Sequence, residues 1–595
     1  MISLNSSPRL RGLATSACKL VSVIRNDQPD LRQFLGPQSR TNTQSGNAQI
    51  EPKVRRGVVK SNEILCNCDD DAKLSKCSRS IRCQYRVDQV PFYIRTYGCQ
   101  MNVNDTSILS AILQDYGYKL VENESEAEIY LIMTCAIRES AEDKIWNRLR
   151  QLKKLKQDPK HPLKQVGMLG CMAERLKSKV LETENSVDIV AGPDAYRDLP
   201  RLFSINKMSK EKAINCLLSF DETYSDIRPI TKVNEVTSFL SITRGCDNLC
   251  SYCVVPFTRG RERSRALPTI IDEVKGLVSR GIKEVTLLGQ NVNSYRDLAT
   301  KPETIGRLDL VDLVRGKESP ASGFGTVYKP RVRGLTFDVL LEEVAKISTE
   351  LRIRFTSPHP KDFTDDVIDV MSRYPNIARC IHLPAQSGSD SVLERMRRGY
   401  TKEAYLQLVD RLRASMPDLA ITSDFITGFC GESEADHEET IDLIKRIRYN
   451  FIYVFPYSDR DKTSAHHNLD DNVPHDVKVR RLEEIRDLFR AQATEINQSL
   501  IHSSQLVLVE ATSRRSEDRW QGRADNNVKT ILPRVECLDL KSGYIRQIQP
   551  GDYVNCQIET ANSQTLYAKP ISITTQESFH SELGGCLMNV PKKLQ

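Results

Sequence analysis

The spacing of apolar and polar positions divides the chain into stretches of different rhythm. Over residues 89–210, short apolar runs alternate with helix-like segments. "VPFYIRTYGC" reads as a strand ending at Cys99, and "NDTSILSAILQDYGY" as a helix opened by an Asn-Asp-Thr cap. "AEIYLIMTC" is a second strand, ending at Cys135, and a long charged helix follows. "QVGMLGC" is a third, ending at Cys171, and "VDIVAGP" reads as a fourth. Alternating strands and helices predict a parallel α/β sheet, whose strand carboxyl ends line a ligand crevice. The pattern puts Cys99, Cys135 and Cys171 at that one edge.

A second α/β rhythm runs over 237–490. Its strands are "FLSITRG", "EVTLLGQ", "RIRFTS", "IHLPAQ", "AITSDFITG" and "FIYVFPY". Helices lie between them, such as "LPTIIDEVKGLVSRG", with Pro268 near its start and Gly281 beyond its end. Six strand–helix units predict a partial (β/α)6 barrel. The stretch 296–335, rich in Pro, Gly and charge, reads as an insertion. A charged helix then leads to short strands, "QLVLVEAT", "VKTILP" and "DYVNCQIET", which predict a small β-barrel over 498–572. Residues 573–595 form a tail.

Composition adds three points. At 595 residues, with 39% hydrophobic and 27% charged, the chain is a multidomain globular protein. No apolar run is long enough to cross a bilayer, so no membrane contact is expected, and a monomer is. The net charge of +7 permits a polyanionic partner without demanding one. Residues 1–26 contain Arg9, Arg11, Lys19 and Arg25 and no acid, the makeup of a mitochondrial transit peptide and so of a matrix address. Residues 27–88 read as a disordered linker. Its Cys66, Cys68, Cys77 and Cys83 match no standard zinc spacing.

The chemistry concentrates in "CDNLCSYCVVPFTRGRERSR". Cys246, Cys250 and Cys253 are spaced C-x3-C-x2-C just after a strand. Three thiolates fall one short of a closed zinc site. A [4Fe–4S] cluster on three thiolates instead keeps one iron open for a substrate or cofactor. Zinc and buried thiols remain the alternatives. Arg259, Arg261, Arg263 and Arg265 follow, either as a solvated charge run or as phosphate and carboxylate contacts.

This segment resembles the radical S-adenosylmethionine superfamily. The resemblance implies that S-adenosylmethionine chelates the open iron and that one electron cleaves it to a 5′-deoxyadenosyl radical. Tyr252 matches an aromatic position of the motif. Gly289, Gln290 and Asn291, after the second strand, fall where the superfamily holds the cofactor. Ser357 and Gln386 end later strands and are further cofactor candidates.

The chain as a whole resembles the methylthiotransferase family, in its branch acting on tRNA adenosine. The matching residues are "YGCQMNVNDT", "TCAIRESAE", "GCMAERL", the three-cysteine segment, "LLGQNVNSY", "HLPAQSGS", "MRRGYT" and "SDFITGFCGE". The resemblance implies two [4Fe–4S] clusters, the second on Cys99, Cys135 and Cys171 to carry sulfur. It implies N6-isopentenyladenosine beside the tRNA anticodon as substrate, methylthiolated at C2. The terminal barrel, with Arg523 in "QGRADNNVK", resembles the TRAM domain, an RNA-binding barrel. An electron-donor protein and a sulfur source complete the partners. Threonylcarbamoyl-adenosine or a ribosomal protein is the alternative substrate. A non-enzymatic regulator binding a cyclin-dependent-kinase activator is a further alternative. The chain departs from the family at "MTC", at Cys430 where Pro is usual, and at "RDKTSA".

Overall fold

A computed structural model describes residues 85–136, 139–230, 235–301, 323–325 and 333–583. The transit-peptide segment, Cys66, Cys68, Cys77 and Cys83 lie outside the described residues. The chain divides into two compact units.

The first unit, which includes Ile112–Ala136 and Ser140–Ser219, is organised by a six-stranded sheet. Its strands are β1 (Pro91–Thr96), β2 (Lys119–Leu120), β3 (Ile129–Thr134), β4 (Gln165–Gly170), β5 (Ile189–Ala191) and β6 (Ala213–Asn215), in the order β2-β1-β3-β4-β5-β6. The pairs β1–β2, β3–β4, β4–β5 and β5–β6 are parallel. Every residue of β3 and β4 is buried, which is why both read as unbroken apolar runs. The helix Glu139–Gln157 turns Ile145, Leu149 and Leu152 inward at helical spacing. The sequence pattern foretold β1, β3, β4 and β5. It did not foretell β2 and β6, which are short and lack the apolar run and following turn that mark β5.

The second unit, from Phe220 onward together with Thr96–Ala111, holds all six strands expected of the partial barrel. They are β7 (Thr237–Ser241), β10 (Glu284–Leu288), β11 (Arg352–Thr356), β12 (Cys380–His382), β13 (Ala420–Thr427) and β14 (Phe451–Pro456). Two short additions, β8 (Thr243–Arg244) and β9 (Arg263–Ser264), pair antiparallel beside them. The main strands form two parallel triplets, β7-β10-β11 and β12-β13-β14, joined through an Ile353–Ile377 bridge. Leu240, Val285, Ile353, Ile381 and Ile421 face helices that contribute Ile270, Val274, Leu340, Met371 and Leu408. The opposite faces carry polar residues instead, among them Arg354, His382 and Asp424. In β13 burial alternates on this basis, with Thr422, Asp424 and Ile426 partly open. The ends of the insertion are tied by paired backbone bonds between Asp297 and Leu335, both 2.9 Å, so its length does not disturb the strands.

The helix His475–Gln498 leads into seven strands, β15 (Ser504–Ser513), β16 (Ser516–Arg523), β17 (Lys529–Pro533), β18 (Glu536–Asp539), β19 (Ile545–Gln547), β20 (Tyr553–Ala561) and β21 (Thr565–Thr574). A β17–β21 pairing closes them round Val507, Trp520, Leu532, Val554 and Leu566. Beyond it, the described part of the expected tail forms the helix Gln576–Leu583. This small barrel is docked on the amino ends of β10 and β11. Arg354 Nε meets Glu284 at 2.9 Å, and its two Nη groups donate to the carbonyls of Asp525 and Ala524 at 2.8 and 3.0 Å. Arg352 donates to the carbonyls of Arg523 and Leu506, both at 3.1 Å. Asp525 accepts from the Arg379 amide at 2.9 Å. Val236, Leu506, Leu508, Tyr553 and Phe579 pack together beside these bonds. Among the described residues, no helix is long and apolar enough to cross a membrane.

Candidate active site

The Cys246, Cys250 and Cys253 loop lies between β8 and the short helix Val255–Arg259. Gly245 opens it at φ 77°, where an added Cβ would lie 2.1 Å from the Arg261 carbonyl oxygen, so only glycine fits. The loop is tied down on every side. The Cys246 amide donates to Gly260, the Ser251 amide to Met396, and the Ala465 amide to Ser251, at 3.3, 3.0 and 2.7 Å. Asp247 accepts from Arg261 Nε at 2.9 Å and from the Glu262 amide at 3.2 Å. Gln290 reaches from the end of β10 to accept from the Gly245 amide at 2.6 Å.

The three thiols also sense one another. Burial pushes the Cys246 thiol well up, and the charge of Cys253 adds to it. Burial and then Cys250 push Cys253 up to about 12. Three thiols on one clamped loop suit a cationic iron–sulfur core, which would neutralise thiolates that burial disfavours. Among the described residues, no three His, Cys, Asp or Glu side chains are grouped so as to hold a single metal ion.

Around this loop stand the carboxyl ends of the strands. Asn291 is buried, donating to Asp362 at 2.7 Å and accepting from the His359 amide at 3.2 Å. Gly289 packs so tightly that a Cβ would meet Thr243 at 2.5 Å. Ser357 and Gln386, the expected strand-end contacts, are both left-handed, at φ 62° and 72°. That conformation is costly for residues other than glycine and clusters at functional sites. Tyr252 is half-buried, with its ring edge-on to Phe429 at 6.4 Å.

The structure also shows what the arginine run does. Arg259 is buried and donates to Asn102 at 3.0 Å and to Asp105 at 2.8 Å. Asp105 also holds Arg244 at 2.9 Å. Arg263 is buried and reaches the carbonyls of Asp221 and Arg259 at 3.1 and 3.0 Å. Arg265 joins Glu273 at 2.8 Å and the Ser241 carbonyl at 3.0 Å. These three guanidiniums therefore act as internal struts. Arg261, with 41% of its side chain exposed, is the member of the run with surface to offer a ligand. Arg523, at the end of β16, is 40% exposed and faces Glu510 at 3.2 Å.

Four residues here escaped the sequence reading: His359, Asp362, Arg398 and Tyr400. Arg398 donates to Cys250 Sγ at 3.4 Å. Burial, with the charges of Arg398 and Lys361, drives the His359 imidazole well below its ordinary value, so it is neutral. Arg398 and Tyr400 stand in the quoted "MRRGYT", but nothing local shows that the guanidinium turns inward.

In the first unit, Cys135 and Cys171 directly follow Thr134 and Gly170, which are register partners on β3 and β4. Both are buried. Arg175 joins Glu142 at 2.7 Å, tying the segments that follow the two cysteines. Cys99, which belongs to the second unit, follows β1 and caps the helix Gln100–Asp115, its carbonyl accepting from the Asn102 amide at 3.0 Å. Gly98 and Gly170, at φ 107° and 89°, make the sharp strand-to-helix turns before Cys99 and Cys171.

A three-thiol loop at the carboxyl ends of a partial α/β barrel marks a radical S-adenosylmethionine enzyme, and residues 240–444 match the Radical SAM superfamily. Residues 91–192 match the Uncharacterized protein family UPF0004, and 498–571 match the TRAM domain. The chain is 51% identical over 491 residues to the mitochondrial tRNA methylthiotransferase CDK5RAP1 of Mus musculus, covering 82% of each protein. It is 50% identical to the protein of that name from Homo sapiens, covering 81% of this chain and 82% of the relative. It is 44% identical to the tRNA-2-methylthio-N(6)-dimethylallyladenosine synthase of Chloroherpeton thalassium, covering 80% and 94%. The chain belongs to the radical S-adenosylmethionine tRNA methylthiotransferase family. Membership brings a [4Fe–4S] cluster, S-adenosylmethionine and tRNA binding.

Proposed function

We propose that this chain converts N6-isopentenyladenosine beside the anticodon of tRNA to its 2-methylthio derivative, in the mitochondrial matrix. The observation that carries the reading is the clamped loop of Cys246, Cys250 and Cys253 at the strand carboxyl ends. Its family setting, with relatives named for this reaction, adds support. When bound there, a cluster with S-adenosylmethionine supplies one-electron chemistry able to activate an inert C–H bond.

The chain's own residues orient that chemistry. Gln290 fixes the loop through the Gly245 amide, and Asn291 fixes the next turn through Asp362. Gly289 lets the backbone approach closely, while Ser357 and Gln386 present polar groups to the cofactor. Tyr252 shields the loop from water. Arg261 and Arg523 contact tRNA phosphates. Cys99, Cys135 and Cys171, each after a strand of one sheet, would hold a second cluster, whose chemistry would be the supply of sulfur. An electron carrier and a sulfur source complete the system.

Anaerobic reconstitution tests the cluster assignment, with about eight irons expected per chain and about four after Cys246→Ala. Stoichiometric zinc without iron would sink it. Mass spectrometry of mitochondrial tRNA nucleosides from cells lacking the protein tests the substrate. Loss of methylthio-isopentenyladenosine is expected. Loss of a methylthio-threonylcarbamoyl nucleoside would move the assignment to that substrate. Full biological activity of Cys246→Ala would point instead to a regulator that binds a kinase activator.

A further inference from the structure

Arg398 follows Arg397, whose left-handed φ of 58° reverses the chain after the helix Asp390–Arg395. The reversal carries the Arg398 side chain inward, where the residue is 5% exposed. All three arms of the guanidinium are engaged. Nε donates to the Tyr400 hydroxyl at 3.0 Å, Nη2 to the Pro384 carbonyl at 2.9 Å, and Nη1 to Cys250 Sγ at 3.4 Å. The Tyr400 hydroxyl in turn donates to the carbonyls of Pro384 and Ala385, at 3.2 and 3.0 Å. The cation is therefore fixed in position and orientation. A buried cation is costly without a compensating anion. Its acceptors are a phenol, a carbonyl and a sulfur, and of these a metal-bound thiolate is the one that keeps a negative charge.

We propose that Arg398 is a positioning residue that sets the reduction potential of the cluster held by Cys246, Cys250 and Cys253. This rests on the reading that those thiolates hold a cluster. One electron from a low-potential carrier protein adds one negative charge to the thiolate-bearing group, and no bond is made or broken. A fixed cation on a ligand sulfur stabilises the more negative state. The N–H···S hydrogen bond draws electron density from the sulfur in the same sense. Both effects raise the potential, which makes the cluster easier to reduce.

The test uses the full chain carrying Cys99→Ala, Cys135→Ala and Cys171→Ala, so that one cysteine set remains. After anaerobic reconstitution it is titrated against low-potential mediators, with electron paramagnetic resonance reading the reduced cluster. Arg398→Met should keep the parent's iron and lower the midpoint. The expected size is about a tenfold fall in the reduced-to-oxidised ratio at fixed potential, the scale of one hydrogen bond to a charged group. Arg398→Lys keeps the charge and should fall between parent and Arg398→Met. If Arg398→Met loses its iron, Arg398→Lys decides alone. Equal potentials at equal iron content overturn the proposal. So does loss of iron from both variants with circular dichroism unchanged, because Arg398 would then merely hold the loop. Failure of the cluster reading itself looks different: Cys246→Ala in the same background would retain the parent's iron.

Discussion

The dock between the small C-terminal barrel and the amino ends of β10 and β11 can be tested by Arg354→Met. The change removes the 2.9 Å contact with Glu284 and the bonds to Asp525 and Ala524 at 2.8 and 3.0 Å. Glu284 stays buried, with Arg352 at 3.9 Å as its remaining cationic neighbour. Breaking one side of a buried ion pair costs about 3–5 kcal/mol. Val236, Leu506, Leu508, Tyr553 and Phe579 oppose that loss, and each buried side chain is worth about 1.5–3 kcal/mol. With the Arg352 bonds also intact, the barrel should stay docked while opening more often. Hydrogen exchange by mass spectrometry reads this directly. Amides of 523–528, and that of Arg379, should exchange roughly a hundred- to several-thousand-fold faster, at about 1.4 kcal/mol per tenfold. Arg354→Met combined with Glu284→Met should recover part of the protection, because an apolar pair leaves no orphaned charge. Unchanged exchange in the single variant would refute the reasoning and leave the dock to apolar packing and the bonds of Arg352 and Arg379.

Four further outcomes are expected. Gly245→Ala forces a Cβ to 2.1 Å from the Arg261 carbonyl oxygen at a left-handed position, so it should lose the iron that Cys246→Ala loses, measured by iron analysis. Arg261→Ala should weaken binding of an anticodon stem-loop and reduce the salt slope by about one phosphate contact, read by fluorescence titration at several salt concentrations. Asp105→Asn leaves Arg244 and Arg259 facing a neutral amide, and at about 3–5 kcal/mol it should lower the urea midpoint. His359 is kept neutral by burial, whereas in the unfolded chain the ring protonates near pH 6.5. The unfolded state then binds more protons, so stability is present above that pH and is lost below it, by up to about 1.4 kcal/mol per pH unit. Urea unfolding of His359→Gln should show a flatter slope between about pH 6.5 and 5, and parallel slopes would refute the assignment.

The parts of the fold legible in the sequence were those with a long enough period. β3 and β4 are buried on both faces, so they stood out as apolar runs. The six main strands of the partial barrel were punctuated by Gly and Pro. β2 and β6, of two and three residues, have no period to read and lack the flanking apolar and turn signals that revealed the equally short β5 and β12. The thiols of the candidate site were visible because their spacing is local. The roles of the arginines were not, because each depends on a distant partner. Arg259 finds Asn102 and Asp105, and Arg398 finds Cys250, 148 positions away. Charge runs look alike in sequence whether they face water or a buried carboxylate.

Ser357, directly after β11, and Gln386, four residues beyond β12, hold left-handed backbones. For a residue with a Cβ, that conformation costs about 1–2 kcal/mol, which glycine would not incur. The two side chains thus stand against local stability. A library of variants selected for heat resistance alone should drift to glycine at both positions. If both side chains serve the cofactor as proposed, selection for methylthiolation should hold them as they are, and heat tolerance and turnover would compete at these two positions.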